Sequence, residues 1–372
     1  MSILLAFAAT AVFADWPTYH GQADLKGMSE ATLPDKPELL WRYNAGAAVY
    51  NTPVSDGERV FFTAEKGRVV ALDLNGSKVW EKRCTRTSDA GDEMPARFEA
   101  PLACGGGFVF AGTTRGTMYA LDAGTGKEQW RYEMAGIIIG SPNLIKPHKA
   151  QKMQNVVLLD QSEGALHCLD IKTGKRVWKT EGVERCDGAP GVGDEWIVFG
   201  SCLAALHVYD MNGKPLRTIA AGGDGQIAGG VAVDGRRAFA GTRDGRLICA
   251  DLEAGDMVWS SDESQDQTFS TPAVAVKSVL YSSDDGFVYA VNRKDGALQW
   301  TFDTGGSPSS PVVAEGSVVV SADGVLYVLG LAGGRKLWSK EVSDEITSPA
   351  IIGGRVVVGA DDGTVSAFGI KE

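Results

Sequence analysis

The string small-x-Asp-x-x-Thr-Gly-x-x-x-Trp stands intact at Ala120–Trp130, and at Cys168–Trp178 with Cys in its first place. Looser copies return along almost the whole chain. A recurring unit of this length constrains the fold more than any composition could. Each copy must build the same supersecondary unit, and the units must bury their apolar faces against one another.

Each unit opens on a small residue and Pro: Thr52-Pro53, Ala100-Pro101, Ser141-Pro142, Ala189-Pro190, Thr271-Pro272, Ser310-Pro311 and Ser348-Pro349, with Gly229-Gly230 in one place. Pro suits the start of a strand, where no ladder donor is required. Two β-branched runs follow, joined by a tight turn such as Glu65-Lys66-Gly67, Asp244-Gly245, Asp285-Gly286, Asp323-Gly324 or Asp362-Gly363. Such turns between apolar runs signal hairpins. A second turn, Asn75-Gly76, Thr125-Gly126, Thr173-Gly174 or Asp295-Gly296, leads into a last strand that ends in Trp. Each unit therefore reads as a four-stranded antiparallel meander.

The closing residues are Trp80, Trp130, Trp178, Arg217, Trp259, Trp300 and Trp338, which makes seven complete units. An eighth starts at Ser348-Pro349 and stops without its last strand, while Glu38–Tyr43 supplies a spare strand with its own Trp41. Pairing the two chain ends closes a ring and leaves no open blade. The expected fold is all-β, an eight-bladed β-propeller whose last blade is completed by an N-terminal strand. Aromatic side chains at one fixed place per blade read as packing between sheets, so Trp41, Trp80, Trp130, Trp178, Trp259, Trp300 and Trp338 are assigned to docking of neighbouring blades.

The 372 residues divide into an apolar leader at 1–14, an N-terminal extension at 15–37 and a single propeller at 38–372. The leader is too short to span a bilayer and ends in Ala14 before Asp15, as a secretory signal does. An exported chain is expected, periplasmic or extracellular and monomeric, with no transmembrane segment. No Cys precedes Cys84, so no lipid anchor is expected. A net charge of −11 argues against nucleic acid as a partner. The basic cluster Lys146, His148, Lys149 and Lys152 reads as a solvated loop.

Among the six Cys, Cys168 and Cys249 fill a small core slot held by Ala in other copies. Cys186 and Cys202 fall on loops of the same ring face and form the expected disulfide; Cys84 and Cys104 stay unassigned. The four His show no metal spacing, and no nucleophile elbow or phosphate loop is present. Acidic residues at the hairpin turns, Asp244, Asp284, Asp285, Asp323, Asp361 and Asp362, are explained by turn chemistry.

The eleven-residue pattern resembles the tryptophan-docking motif of the pyrroloquinoline-quinone repeat superfamily, and the resemblance covers almost the whole chain. That superfamily holds quinoprotein alcohol dehydrogenases and non-enzymatic propellers similar to BamB, a component of outer-membrane barrel assembly. The dehydrogenases would imply the quinone with Ca²⁺ over the ring centre, an Asp base and an adjacent Cys pair. This chain has no adjacent Cys pair and no long roofing insertion. It is closer in length and blade count to the BamB-like group. That resemblance implies a non-catalytic scaffold without a cofactor, binding a protein or peptide partner. The stretch Arg185-Cys186-Asp187-Gly188-Ala189-Pro190 matches the partner-facing loop, so Arg185 and Asp187 are the implied contacts. The insertion Thr85–Glu99, with Arg86, Asp89, Asp92, Glu93 and Arg97, is a second expected contact surface.

Overall fold

The computed structural model describes residues 16–87, 91–146 and 154–371, and contains eight four-stranded antiparallel sheets, one two-stranded sheet and, among the described residues, no helix. Blade one is Val54–Ser55, Arg59–Ala64, Arg68–Asp73 and Lys78–Arg83, innermost strand first. Blades two to seven repeat the order from Ala103, Asn143, Gly191, Ala232, Ala273 and Val312. The eighth joins Ala350–Ile352, Arg355–Gly359 and Thr364–Gly369 to the N-terminal strand Glu38–Asn44. The chain ends thus pair as expected, and the ring closes without a free sheet edge inside it. The apolar leader lies outside the described residues.

The repeated motif is an interlock. Its first, small residue lies directly opposite its own Trp, as Ala120 does to Trp130 and Cys249 to Trp259, with a β-bulge beside the pair. Asp122 Oδ1 closes the turn by accepting Thr125 N at 2.9 Å and Thr125 Oγ1 at 2.7 Å. Gly126, at φ +70°, lies under Trp80 of the preceding blade; a Cβ there would stand 2.5 Å from the ring. Trp80 Nε1 in turn donates to Ala123 O at 2.9 Å. Trp41, Trp130, Trp259 and Trp300 donate likewise to Leu74, Ile171, Arg293 and Leu331 carbonyls of the next blade. Trp178 covers Gly213, Arg217 lays its stem over Gly255, and Trp338 meets Phe368 edge-on. Most copies receive one ring and offer one, with Arg217 as the exception, which is why the residues recur together.

The residues set apart as an N-terminal extension fill the channel. Trp16 exchanges backbone bonds with Ser55 of blade one, and Pro17 O accepts Cys104 N of blade two. Thr18 Oγ1 donates to Pro142 O of blade three. The carbonyls of Ala23, Asp24, Lys26 and Gly27 accept Val192, Val233, Val274 and Val313 N of blades four to seven. Thr18 reaches blade three while the next residues, Tyr19 and His20, bond Ser310 and Pro311 of blade seven on the opposite wall. Consecutive residues can touch opposite walls only by crossing the channel. Trp16 and Leu25 are fully buried in this plug. Trp16 is thus a core residue.

Candidate functional site

The plug bonds the innermost strands where they run into their first hairpin turns. The opposite face carries the loops that enter each blade and the turns between second and third strands. One backbone bond fixes that face in all eight blades: residues 65, 114, 161, 202, 243, 284, 323 and 361 donate N–H to carbonyls of 48, 97, 137, 185, 226, 267, 307 and 345. Loop and turn are therefore rigid relative to each other.

In blade four the pair is Cys202 N to Arg185 O, at 3.0 Å, so Arg185, Asp187 and the turn Cys202-Leu203-Ala204 are brought together. Asp187 is the centre of the cluster. Its Oδ1 accepts Gln161 Nε2 at 2.7 Å and Arg185 Nε at 2.8 Å, and its Oδ2 faces Arg243 Nη2 at 3.3 Å. The Asp187 side chain is 11% exposed and that of Arg185 59%, so the carboxylate organises and the guanidinium is presented. Arg243 lies over the Phe269 ring at 5.2 Å, and Phe269 and Leu203 are both exposed. Gln161, Leu203, Arg243 and Phe269 were not singled out by the sequence. Gln161 and Arg243 are equivalent to Cys202 through the shared backbone bond, which is what relates them to Arg185.

The expected disulfide between Cys186 and Cys202 is not formed: both are free thiols. Cys186 is buried, donates its Sγ–H to Glu184 O at 3.1 Å and packs on Gly164 of blade three, while Cys202 stays on the blade-four turn. Burial pushes the Cys186 thiol up to about 12, and those of Cys168 and Cys249 likewise.

Elsewhere on this face Thr85–Thr87 and Glu93–Pro95 form a hairpin over blade one, with Met94 and nearby Tyr50 exposed and Arg97 paired to Glu99. Asp89, His148, Lys149 and Lys152 fall outside the described residues. Most of the acidic turns are used up locally. Asp244 binds Arg246 and Thr242, Asp285 accepts from Tyr289 at 2.6 Å, and Asp361 accepts from Ser343 at 2.6 Å.

The channel residues do not fit a quinone with its calcium ion. No group of three His, Cys, Asp or Glu among the described residues could share an ion. Wall hydroxyls are committed to neighbours: Ser310 to Tyr19 and Thr271 N, Ser309 to Ser321, and Ser141 to Thr18 and Leu102 O. His20 lies between a plug carbonyl, Leu25 O at 2.7 Å, and a wall carbonyl, Pro311 O of blade seven at 2.9 Å.

The profile of the family described as outer membrane protein assembly factor BamB matches residues 34–137, 85–186, 162–312 and 304–372. A protein of that name from Bordetella pertussis is 23% identical over 275 residues, 73% of this chain and 59% of its own length, so less than two thirds of that relative is spanned. The crystal structure of BamB from Moraxella catarrhalis superposes with a TM-score of 0.72 at 22% identity, covering 90% of this chain and 98% of its own. Quinohemoprotein alcohol dehydrogenase from Comamonas testosteroni superposes with a TM-score of 0.73 at 15% identity, covering 98% and 82%. At these identities the structural likenesses speak to the fold alone.

Proposed function

This chain belongs to the outer membrane protein assembly factor BamB family, and from that premise we propose that it is an exported, non-catalytic scaffold. It binds a protein partner of the outer-membrane assembly machinery through the face that carries Arg185 and Asp187. The observation that carries this reading is the Asp187 cluster. A nearly buried carboxylate holds an exposed guanidinium in place beside exposed Leu203 and Phe269, and Arg and aromatic side chains in such settings dominate protein interfaces. Rigid rings with variable loops suit that task.

Placing a photo-crosslinking side chain at Leu203 in the intact cell envelope tests the proposal. An adduct with a barrel-assembly protein is expected, and none from Val177 on the outer rim. Equal labelling at both positions would overturn it. The quinoprotein reading, favoured only by the shared fold, makes the opposite forecast. It requires saturable binding of pyrroloquinoline quinone that depends on Ca²⁺, whereas the scaffold gives no heat of binding with or without the ion.

A further inference from the structure

Among the described residues only blade one carries an added hairpin, and it overhangs a cleft of about 760 Å³ on the face of the entry loops. Tyr50, Met94, Pro95 and Phe98 wall this cleft, with Tyr50 and Met94 both exposed. Its floor is polar. Asn51 and Thr63 line the cleft, yet they are only 7% and 3% exposed. Asn51 Nδ2 donates to Thr63 Oγ1 at 2.9 Å and to Phe98 O at 3.3 Å. A carbonyl can only accept, so Phe98 O fixes which way the amide points. Asn51 Oδ1 is thereby left without a donor among the described residues, and the Thr63 hydroxyl, which accepts from Asn51, has no acceptor there for its own proton. The same two places, twelve residues apart, hold Ser270 with Ser282 in blade six and Ser309 with Ser321 in blade seven. Those hydroxyls close on each other or on backbone. Blade one departs from them by setting an unused acceptor beside an unused proton.

We infer that this cleft takes a tyrosine side chain of the protein partner, its ring between Tyr50 and Met94 and its hydroxyl on the Asn51–Thr63 floor. The inference rests on the scaffold reading above for the source of that side chain. A phenol answers both floor groups at once, its O–H donating to Asn51 Oδ1 and its lone pair accepting the Thr63 proton. Phe offers neither partner, and Trp offers only a donor. A ring that covers the floor without pairing it strands two desolvated polar groups, so the site penalises a ligand that lacks the hydroxyl. Aromatic and thioether walls suit the body of the ring. Charge selects little here, because Lys66, Arg86 and Arg97 share the rim with Glu65 and Glu99, and Arg97 is paired to Glu99.

The test uses the purified protein and three short fluorescent Gly-Ser peptides with a central Tyr, O-methyl-Tyr or Phe. The Tyr peptide binds about tenfold or more tightly than the Phe peptide, and the O-methyl peptide, which has lost the proton, falls towards Phe. Asn51→Leu brings Tyr to the Phe level, Met94→Ala weakens all three peptides alike, and Val177→Ala on the outer rim changes none. The Tyr-to-Phe ratio is read on the unaltered protein, so it remains informative even if Asn51→Leu folds poorly. Equal binding of Tyr and Phe, a preference for Phe, or no binding by the Tyr peptide overturns the inference. Any of these results alongside a retained Leu203 adduct in the envelope sinks the tyrosine cleft alone. Loss of that adduct with the Tyr preference intact sinks the scaffold reading and keeps the cleft.

Discussion

Replacing Gly27 by Ala tests whether the plug is a fitted part of the ring. Gly27 has φ +62°, and an added Cβ would stand 2.4 Å from His20 Cε1. The imidazole is closely confined, because Nδ1 and Nε2 lie 2.7 and 2.9 Å from the Leu25 and Pro311 carbonyls, one nitrogen donating at a time. Gly46 is the control: its φ is +68°, and nothing lies within 4 Å of the added atom. Gly46→Ala should therefore cost only the left-handed backbone term, about 1 kcal/mol. Gly27→Ala carries the same term plus about 1–3 kcal/mol of overpacking. Urea denaturation of both variants gives the difference directly. Hydrogen exchange locates it, since the amides of Val192, Val233, Val274 and Val313 donate to plug carbonyls and should exchange about tenfold or more faster in Gly27→Ala alone. Equal losses in the two variants, with those amides unchanged, would refute a fitted plug.

Trp130→Ala removes the bond to Ile171 O and uncovers Gly174, and should cost about 3 kcal/mol in urea denaturation. Trp130→Arg should cost less, since Arg217 covers Gly255 in the same way. Asp187→Ala strands Gln161, Arg185 and Arg243, and should lower stability by about 1–3 kcal/mol and abolish the Leu203 crosslink. Stability should fall as pH drops from 6.5 towards 4. Burial holds His167 and His207 down at about 4, and His20 is lowered in the same direction, so the unfolded chain takes up protons that the folded ring refuses. After allowance for solvent screening, His167 and His207 contribute about 1–2 kcal/mol each. A thermal midpoint that is flat or rises over this window counts against the assignment, and His207→Asn should flatten the slope.

The blades were legible because each strand obeys a period that every other copy repeats, and because a missing strand at one end matched a spare at the other. The plug was not legible. Residues 16–31 have no repeat partner and are held mainly through backbone carbonyls, which any side-chain sequence could offer. The Cys186–Cys202 pairing was inferred from a shared ring face. A face fixes the neighbourhood of a sulfur but not its direction, and the Cys186 sulfur packs on Gly164 of blade three.

Symmetry separates what builds the ring from what the ring does. A residue repeated in most blades, such as the docking Trp or the turn Asp, answers a need that the blades share, and that need is packing. Function has to lie in the departures. Position 202 and its equivalents illustrate this, for one backbone bond sets the same frame in all eight blades and leaves only the side chains to differ. Glu65, Thr114, Asp284, Asp323 and Asp361 present neutral or acidic groups there, whereas Gln161 and Arg243 both turn to Asp187. At this position the ring is thus acidic or neutral in seven blades and cationic only at Arg243. A partner reading that place by charge would also fix its own rotation on an otherwise pseudo-symmetric ring, which a contact made only with the repeated residues could not do.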